Sequence, residues 1–573
     1  MRGLRILAMV GILVTVPASA QEPLGPGEGK PIIFSSLGTD IATTNPLLAN
    51  DAESADVISN LFPILIGLDP ETGLPTRGSA GSLAIDWTVT DNHVITITLR
   101  DDWTWSDGTL ITSDDVKYAY DAVASAQFDS PYTSFLSTIE AVEAPAPQTV
   151  VVTLGTSECD ALLTAASIPV VPAHHYREQF PTFADITTDH PSNFDPQVTA
   201  GPFKFGVFRP GEGVTLLADQ NYPDSPAGYV VPEGVIFKSL ADERVAYEQF
   251  LDGEITIVFG TPEDRWLDSN LRAARGDFLL IDRPTSGWQI LLFNTADPEK
   301  PQSGADASGE PVPQPPHPIL GNVGVRKAIA HAINFNALNL GAFSGLGTAL
   351  GGPMVPQSWA YNPDILPYEF DLELSQDLLV KAGWIDDDGD IETPRVADVT
   401  VGTVAPGRPL ALDLMIFTGN TTEYSAAVLI QDQLKQIGID VRLDVLDFNV
   451  MVGELVGQSY DMGMIYWGVP ASSPQAMYDQ LGLTGDVPGA GFNTGSFYNA
   501  EFEEVMQAAK TLPGCDQAER KALYDRAQEI IHDEVPYYLV NWEYARILVQ
   551  NNVGNFAPKK NSVLWNLPAW SIR

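Results

Sequence analysis

Residues 410–474 constrain the fold more than any other stretch, because their hydrophobic period switches repeatedly between two and 3.6. Leu410 to Phe417 alternates and then runs apolar, as a buried strand does. Glu423 to Ile437 places Ala426, Leu429, Ile430, Leu434 and Ile437 at helical spacing and stops at Gly438. Ile439 to Asp447 predicts a strand, Phe448 to Gly457 a helix, and Tyr460 to Gly468 a third strand. Strand, helix, strand, helix, strand implies parallel strands joined by right-handed crossovers. Ligands of such sheets bind beyond the carboxyl ends of the strands. Here those ends are Thr418-Gly419-Asn420 and Tyr466-Trp467-Gly468, which are expected to form one wall of a binding cleft. The alternative is that Tyr466 and Trp467 only fill a core.

At 573 residues the chain is too long for one hydrophobic core and predicts two or three domains. Its formal net charge of −43 repels phosphate backbones and anionic lipid, which disfavours nucleic acid and membrane surfaces as partners. Residues 1–20 carry Arg2 and Arg5, an apolar run from Ile6 to Val14, and Val16-Pro17-Ala18-Ser19-Ala20 before Gln21. This is the pattern of a secretory signal peptide cleaved after Ala20. With no cysteine near that site for a lipid anchor, the mature product is expected to be exported and soluble, most simply in a bacterial periplasm. In an oxidising compartment Cys159 and Cys515 could form one long-range disulfide or remain two buried thiols; spacing alone leaves both open. Two cysteines and scattered histidines support neither a zinc cluster nor a Cys/His nucleophile, and no metal or cofactor is expected.

Taken in order, Pro31 to Leu37 predicts a strand and Ala55 to Ile66 a helix, with a loop ending at Asn45-Pro46 that could face a ligand or be ordinary surface. Ile85 to Thr90 and Val94 to Arg100 predict a hairpin around Asp91-Asn92-His93, and a helix starts at Thr112 or Ser113. Val214 to Ala218, Gly234 to Phe237, Arg244 to Leu251 and Ile255 to Gly260 predict a second α/β body. Gly287 to Thr295 is a strand, and Lys300 to Pro318 is rich in Pro, Gly and Ser, as a mobile surface insertion would be. Asp386-Asp387-Asp388-Gly389-Asp390 lacks the spread of ligands that a calcium loop needs and is taken as a solvated turn. Val535 to Trp542 and Arg546 to Gln550 are read as strands returning to the first lobe.

The run Gly67-Leu68-Asp69-Pro70-Glu71-Thr72-Gly73, the hairpin ending in Trp105-Ser106-Asp107-Gly108-Thr109, and the helix start Thr112-Ser113-Asp114-Asp115-Val116 occur in the order found in peptide/nickel-type solute-binding proteins of ABC importers. The resemblance continues through Ala200-Gly201-Pro202-Phe203, Phe293-Asn294-Thr295, Val325-Arg326-Lys327-Ala328-Ile329, Ala382-Gly383-Trp384 and Gln433-Leu434-Lys435-Gln436-Ile437-Gly438. It implies an α/β, two-lobe periplasmic binding protein fold with a hinge, of the large peptide-binding type with three sub-domains. The implied division is residues 21–287 as the first part of lobe I, with an inserted sub-domain near 69–200, then 288–484 as lobe II and 485–573 as the return to lobe I. Gly287 to Thr295 would be one of two segments crossing between lobes, with Tyr460 to Gly468 in or near the other.

The function so implied is capture of a peptide or other small solute in the interlobe cleft and delivery to the permease subunits of an ABC transporter, by a protein expected to be a monomer. The expected ligand contacts are Trp467, Tyr466, Gly468, Ser473, Trp288, Thr418 and Asn45. One departure bears on the ligand. Peptide-binding relatives follow the "G-W" turn with an Asp for the peptide's α-amino group, whereas this chain reads Trp467-Gly468-Val469-Pro470-Ala471-Ser472-Ser473-Pro474. A buried ammonium without its carboxylate is costly, so peptides, oligosaccharides and opine-like solutes all stay open. A secreted hydrolase with a carboxylate pair is the rival from another class, but the chain has no Gly-x-Ser-x-Gly elbow and no His-Glu-x-x-His, and it is not expected to be an enzyme. A chemoreceptor adaptor of the same fold is a third reading.

Overall fold

The computed structural model describes residues 24–572, apart from 38–39, 50, 126, 129, 241, 263–264, 286, 307, 391, 419, 469–472, 543 and 560; the expected leader lies outside the described residues. The first strand, β1 (Ile32–Leu37), is followed by β2 (Ala84–Thr90), β3 (Val94–Leu99), β4 (Ile139–Ala146) and β5 (Thr149–Leu154). Strands β2 to β5 make an antiparallel four-stranded sheet in the order β2-β3-β5-β4. Asp91 and Asn92 take left-handed φ values of 52° and 50°, which suits the tight turn joining β2 to β3.

Next come β6 (Phe203–Arg209), β7 (Gly213–Ala218), β8 (Gly234–Leu240), β9 (Ile257–Phe259), β10 (Leu279–Pro284) and β11 (Gly287–Phe293). The short strands β12 (Trp384–Ile385) and β13 (Val396–Ala397) form a separate two-stranded sheet. The chain then gives β14 (Ala411–Phe417), β15 (Asp440–Leu446), β16 (Met462–Gly468), β17 (Tyr537–Asn541) and β18 (Tyr544–Val549). A seven-stranded sheet runs β10-β18-β9-β1-β8-β7-β6 and a five-stranded sheet runs β15-β14-β16-β11-β17.

The alternating stretch folds as its period requires. β14 is parallel to both β15 and β16, with helices Thr421–Lys435 and Phe448–Gly457 as the connections. The first helix begins where the Asn420 side chain accepts the Glu423 N–H at 3.0 Å, satisfying one of its open donors. Ala426, Ile430 and Leu434 on its inner face are fully buried with Leu291 and Leu414. That core covers one face of the five-stranded sheet; Trp288, Phe502 and Met506 belong to a second core on the other face. A third, larger core is shared by the seven-stranded and four-stranded sheets.

One expected strand changes place. Residues 535–542 do not return to the first body: β17 pairs antiparallel with β11 inside the five-stranded sheet, and only β18 joins the seven-stranded sheet, beside β9 and β10. The reason is burial on both faces. Tyr537 and Leu539 enter one core of the five-stranded sheet, while Tyr538 and Val540 enter the other. Helices Ala500–Thr511 and Gln517–Glu534 pack on the same sheet through Phe502, Met506, Ala527 and Ile530. The chain therefore crosses between sheets from β10 to β11 and from β17 to β18; β16 flanks the first crossing but stays within one sheet.

Cys159 and Cys515 are bonded to each other, across a sequence separation of 356. The bond joins the loop after β5 to the turn between the last two long helices, and so ties the first body to the second. The proline-rich segment expected to be a mobile insertion is held down, with Gly304 N–H donating to the Asp486 carbonyl at 2.8 Å and His317 on Asp461 at 3.0 Å.

Candidate functional site

The carboxyl edge of the parallel strands meets the first crossing. In the β11–β16 ladder Gly287 stands opposite Gly468, Trp288 opposite Trp467 and Gln289 opposite Tyr466. Opposed residues share a face of the sheet and successive residues alternate, so Trp467 and Tyr466 point to opposite sides. Tyr466 is 51% exposed, and Trp467 is partly buried against the core that contains Trp288. The edge is close-packed at Gly287, where a Cβ would lie 2.5 Å from the Trp467 carbonyl oxygen and 2.6 Å from Cε1 of the Tyr466 ring. Gly468 is held by Gln480, whose Nε2 donates to its carbonyl at 2.7 Å.

Thr418 is exposed at the end of β14, with its N–H on the Leu446 carbonyl at 2.8 Å. Ser473 lies just before helix Ala476–Leu481, its carbonyl accepting the Ala476 N–H at 3.1 Å, and the turn 469–472 lies outside the described residues. Two expected contacts are placed elsewhere. Trp288 is 1% exposed and enclosed, because every residue of β11 is buried between the two cores of its sheet. Asn45 is 4% exposed inside the first body: its Oδ1 accepts from the Tyr176 hydroxyl at 3.0 Å and the Leu47 N–H at 3.1 Å, and its Nδ2 donates to Asn193 at 3.1 Å. These bonds hold the loop that carries Asn45 against the first body.

The structure adds polar residues that sequence reasoning passed over. Gln289 Nε2 donates to Glu423 Oε2 at 3.0 Å, and the Phe417 N–H reaches Glu423 Oε1 at 3.4 Å. Burial pushes the Glu423 carboxyl up to about 7. Asn541, opposite Gln289 on β17, is 3% exposed. On the other side of the crossing Arg283 ends the described side chains of β10. A polar Gln within Trp-Gln-Ile-Leu-Leu-Phe was the one signal available; Glu423 looked like an ordinary first-turn acid of its helix.

An α/β sheet edge with an exposed aromatic ring and a second, partly buried one beside it can hold a small polar solute, and it sits where two bodies meet. A family model described as "Bacterial extracellular solute-binding proteins, family 5 Middle" matches residues 79–488. The chain belongs to this family. Its members are binding proteins, and this chain is one, not an enzyme. Among curated relatives it is 22% identical over 566 residues to the oligopeptide-binding protein AppA of Bacillus subtilis (strain 168), covering 96% of this chain and 94% of that one. It is 25% identical over 524 residues to the glutathione-binding protein GsiB of Escherichia coli (strain K12), with 88% of each chain covered. The structure of Bacillus subtilis AppA in complex with a nonapeptide superposes with a TM-score of 0.77 at 21% identity, covering 96% of this chain and all (100%) of that chain. AgaA in complex with agropinic acid superposes with a TM-score of 0.72 at 21% identity, covering 95% and 98%. The family's two-lobe periplasmic binding protein fold is thus the fold of this chain.

Proposed function

We propose that this protein is exported to the periplasm, captures a peptide or other small solute between its two lobes, and delivers it as a monomer to the permease subunits of an ABC transporter. The observation that carries the reading is the pair of neighbouring crossings, β10 to β11 and β17 to β18, set beside the carboxyl edge that bears Tyr466, Trp467, Gly468, Ser473 and Thr418. Two short connections between two well-packed bodies form a hinge, and a ligand that touches both bodies favours the closed state by its differential contacts. The first lobe would consist of the seven-stranded sheet with the four-stranded sheet as its inserted sub-domain, and the second of residues 287–541.

Trp467 and Tyr466 supply apolar or stacking surface, and the groups at the strand ends orient polar atoms. One structural neighbour is described as an ABC transporter-associated periplasmic binding protein, which supports the transport role. Neighbours in complex with a nonapeptide and with agropinic acid support a ligand class wider than peptides. Native mass spectrometry of the mature protein as purified, with the bound species released and identified, tests the reading. A peptide or comparable small solute is expected; a protein that carries none, and takes up none from a tryptic casein hydrolysate, would overturn it.

A further inference from the structure

Arg283 is partly buried next to the end of β10, just before the crossing, and its Nε is enclosed with no hydrogen-bond partner. Its neighbours show how this chain normally treats such a group. Arg546 on the adjacent strand is matched to Asp282 at 3.0 Å and lies 3.4 Å over the Trp266 ring. The buried Arg326 spends its donors on the carbonyl oxygens of Leu320, Glu534 and Val535, and Arg395 on those of Ile437 and Trp384. Among the described residues Arg283 has neither arrangement. Only the Nε is enclosed; the two Nη groups at the end of the fork stay open to a partner from solution, while burial of the rest holds the guanidinium below its usual range. Across the crossing stands Tyr466, which belongs to the other body and whose ring packs against Gly287.

The geometry points to Arg283 as an anion-recognising residue of the cleft: its guanidinium pairs with a carboxylate of the bound solute, beside the exposed Tyr466 ring. The inference rests on the solute-capture reading above and narrows it to ligands that carry a carboxylate near the hinge. Arginine suits that task, because its fixed fork of donors matches a carboxylate with two parallel bonds. It also explains why the residue is left unpaired: contacts are made to both lobes only when the ligand bridges Arg283 on one side and Tyr466 on the other.

The test compares the mature wild-type protein with Arg283→Gln and Arg283→Lys. Native mass spectrometry identifies the species carried through purification, or taken up from a tryptic casein hydrolysate, and calorimetry with that species gives its affinity. A carboxylate-bearing ligand, bound at least tenfold more weakly by Arg283→Gln and by an intermediate amount by Arg283→Lys, supports the assignment. So does a ligand-free Arg283→Gln that melts at or above the wild-type temperature, since removing an unpaired charge relieves the fold. Three results overturn it while the capture reading stands: a ligand without an anionic group, equal affinity in wild type and Arg283→Gln, or a ligand-free Arg283→Gln that melts lower, which would make Arg283 a structural residue. A wild-type protein that binds nothing from either source overturns the capture reading, and the assignment with it.

Discussion

The indole Nε1 of Trp542 donates to the backbone carbonyl of Thr285 at 3.1 Å, so the two segments that cross between the sheets are bonded to each other. Gln357 Nε2 donates to the same oxygen at 3.2 Å, and Trp542 pairs backbone to backbone with Thr348 at 2.8 and 3.0 Å. The hinge is therefore one hydrogen-bonded unit, and its parts cannot bend independently without breaking bonds that lie largely out of water.

Trp542→Phe keeps most of the apolar contact of a side chain that is 5% exposed and removes the bond to Thr285. We expect a loss of about 1–2 kcal/mol in stability by chemical denaturation, the usual cost of a buried hydrogen bond. A loss below about 0.5 kcal/mol, the range of neutral surface changes, would mean that the bond does not couple the crossings.

The disulfide is a third connection between the bodies, in addition to the two crossings. Salt bridges flank it, Glu158 with Lys510 at 2.9 Å and Asp160 with Arg520 at 2.9 Å. Removing both sulfurs, as Cys159→Ser with Cys515→Ser, should cost roughly 2–5 kcal/mol. The ligand-free double variant should also show a larger radius of gyration by small-angle scattering. An unchanged radius would show that the bond stabilises the chain without limiting how far the lobes open.

Glu423 carries a pH dependence whose sign follows from burial. Its carboxyl is raised from 4.5 to about 7 in the folded state, so between those values the folded protein holds the proton more tightly than the unfolded chain. Its contribution is fully present below pH 4.5 and is lost as pH rises through about 7, by roughly 3 kcal/mol at most. Glu423→Gln should accordingly be more stable than wild type at pH 8 and show little difference at pH 4; the Gln289 amide can turn to meet the new side chain. A difference of the same size at both pH values would refute the assignment.

The three aromatic residues at the sheet edge should separate by measurement. Trp288→Ala opens a cavity in a core and should cost about 3–5 kcal/mol. Tyr466→Ala, on an exposed side chain, should leave stability within about 0.5 kcal/mol while weakening the solute found by mass spectrometry. Trp467→Ala should weaken the same solute, and unchanged affinity there would mean that the cleft is placed wrongly.

Much of this architecture was legible before any coordinates. The switch from helical to strand period between Leu410 and Gly468 determined three parallel strands and their connecting helices, because burying one face of each element demands that spacing. The hairpin at Asp91-Asn92 and the helix start at Thr112 were legible for the same local reason: turns and caps are satisfied by residues a few positions apart. The place of residues 535–542 was not, since a strand buried on both faces carries no mark of which sheet it enters. Nor could spacing decide whether Cys159 and Cys515 meet. At the site, the strand ends and their aromatic residues were named from sequence, whereas the enclosure of Trp288, the opposed directions of Tyr466 and Trp467, and the pairing of Gln289 with Glu423 across 134 residues emerged only in the folded chain. Sequence by itself determined the elements, whose causes are local; tertiary structure decided the partners, because whether a partly buried charge such as Arg283 is matched depends on what the rest of the chain brings beside it.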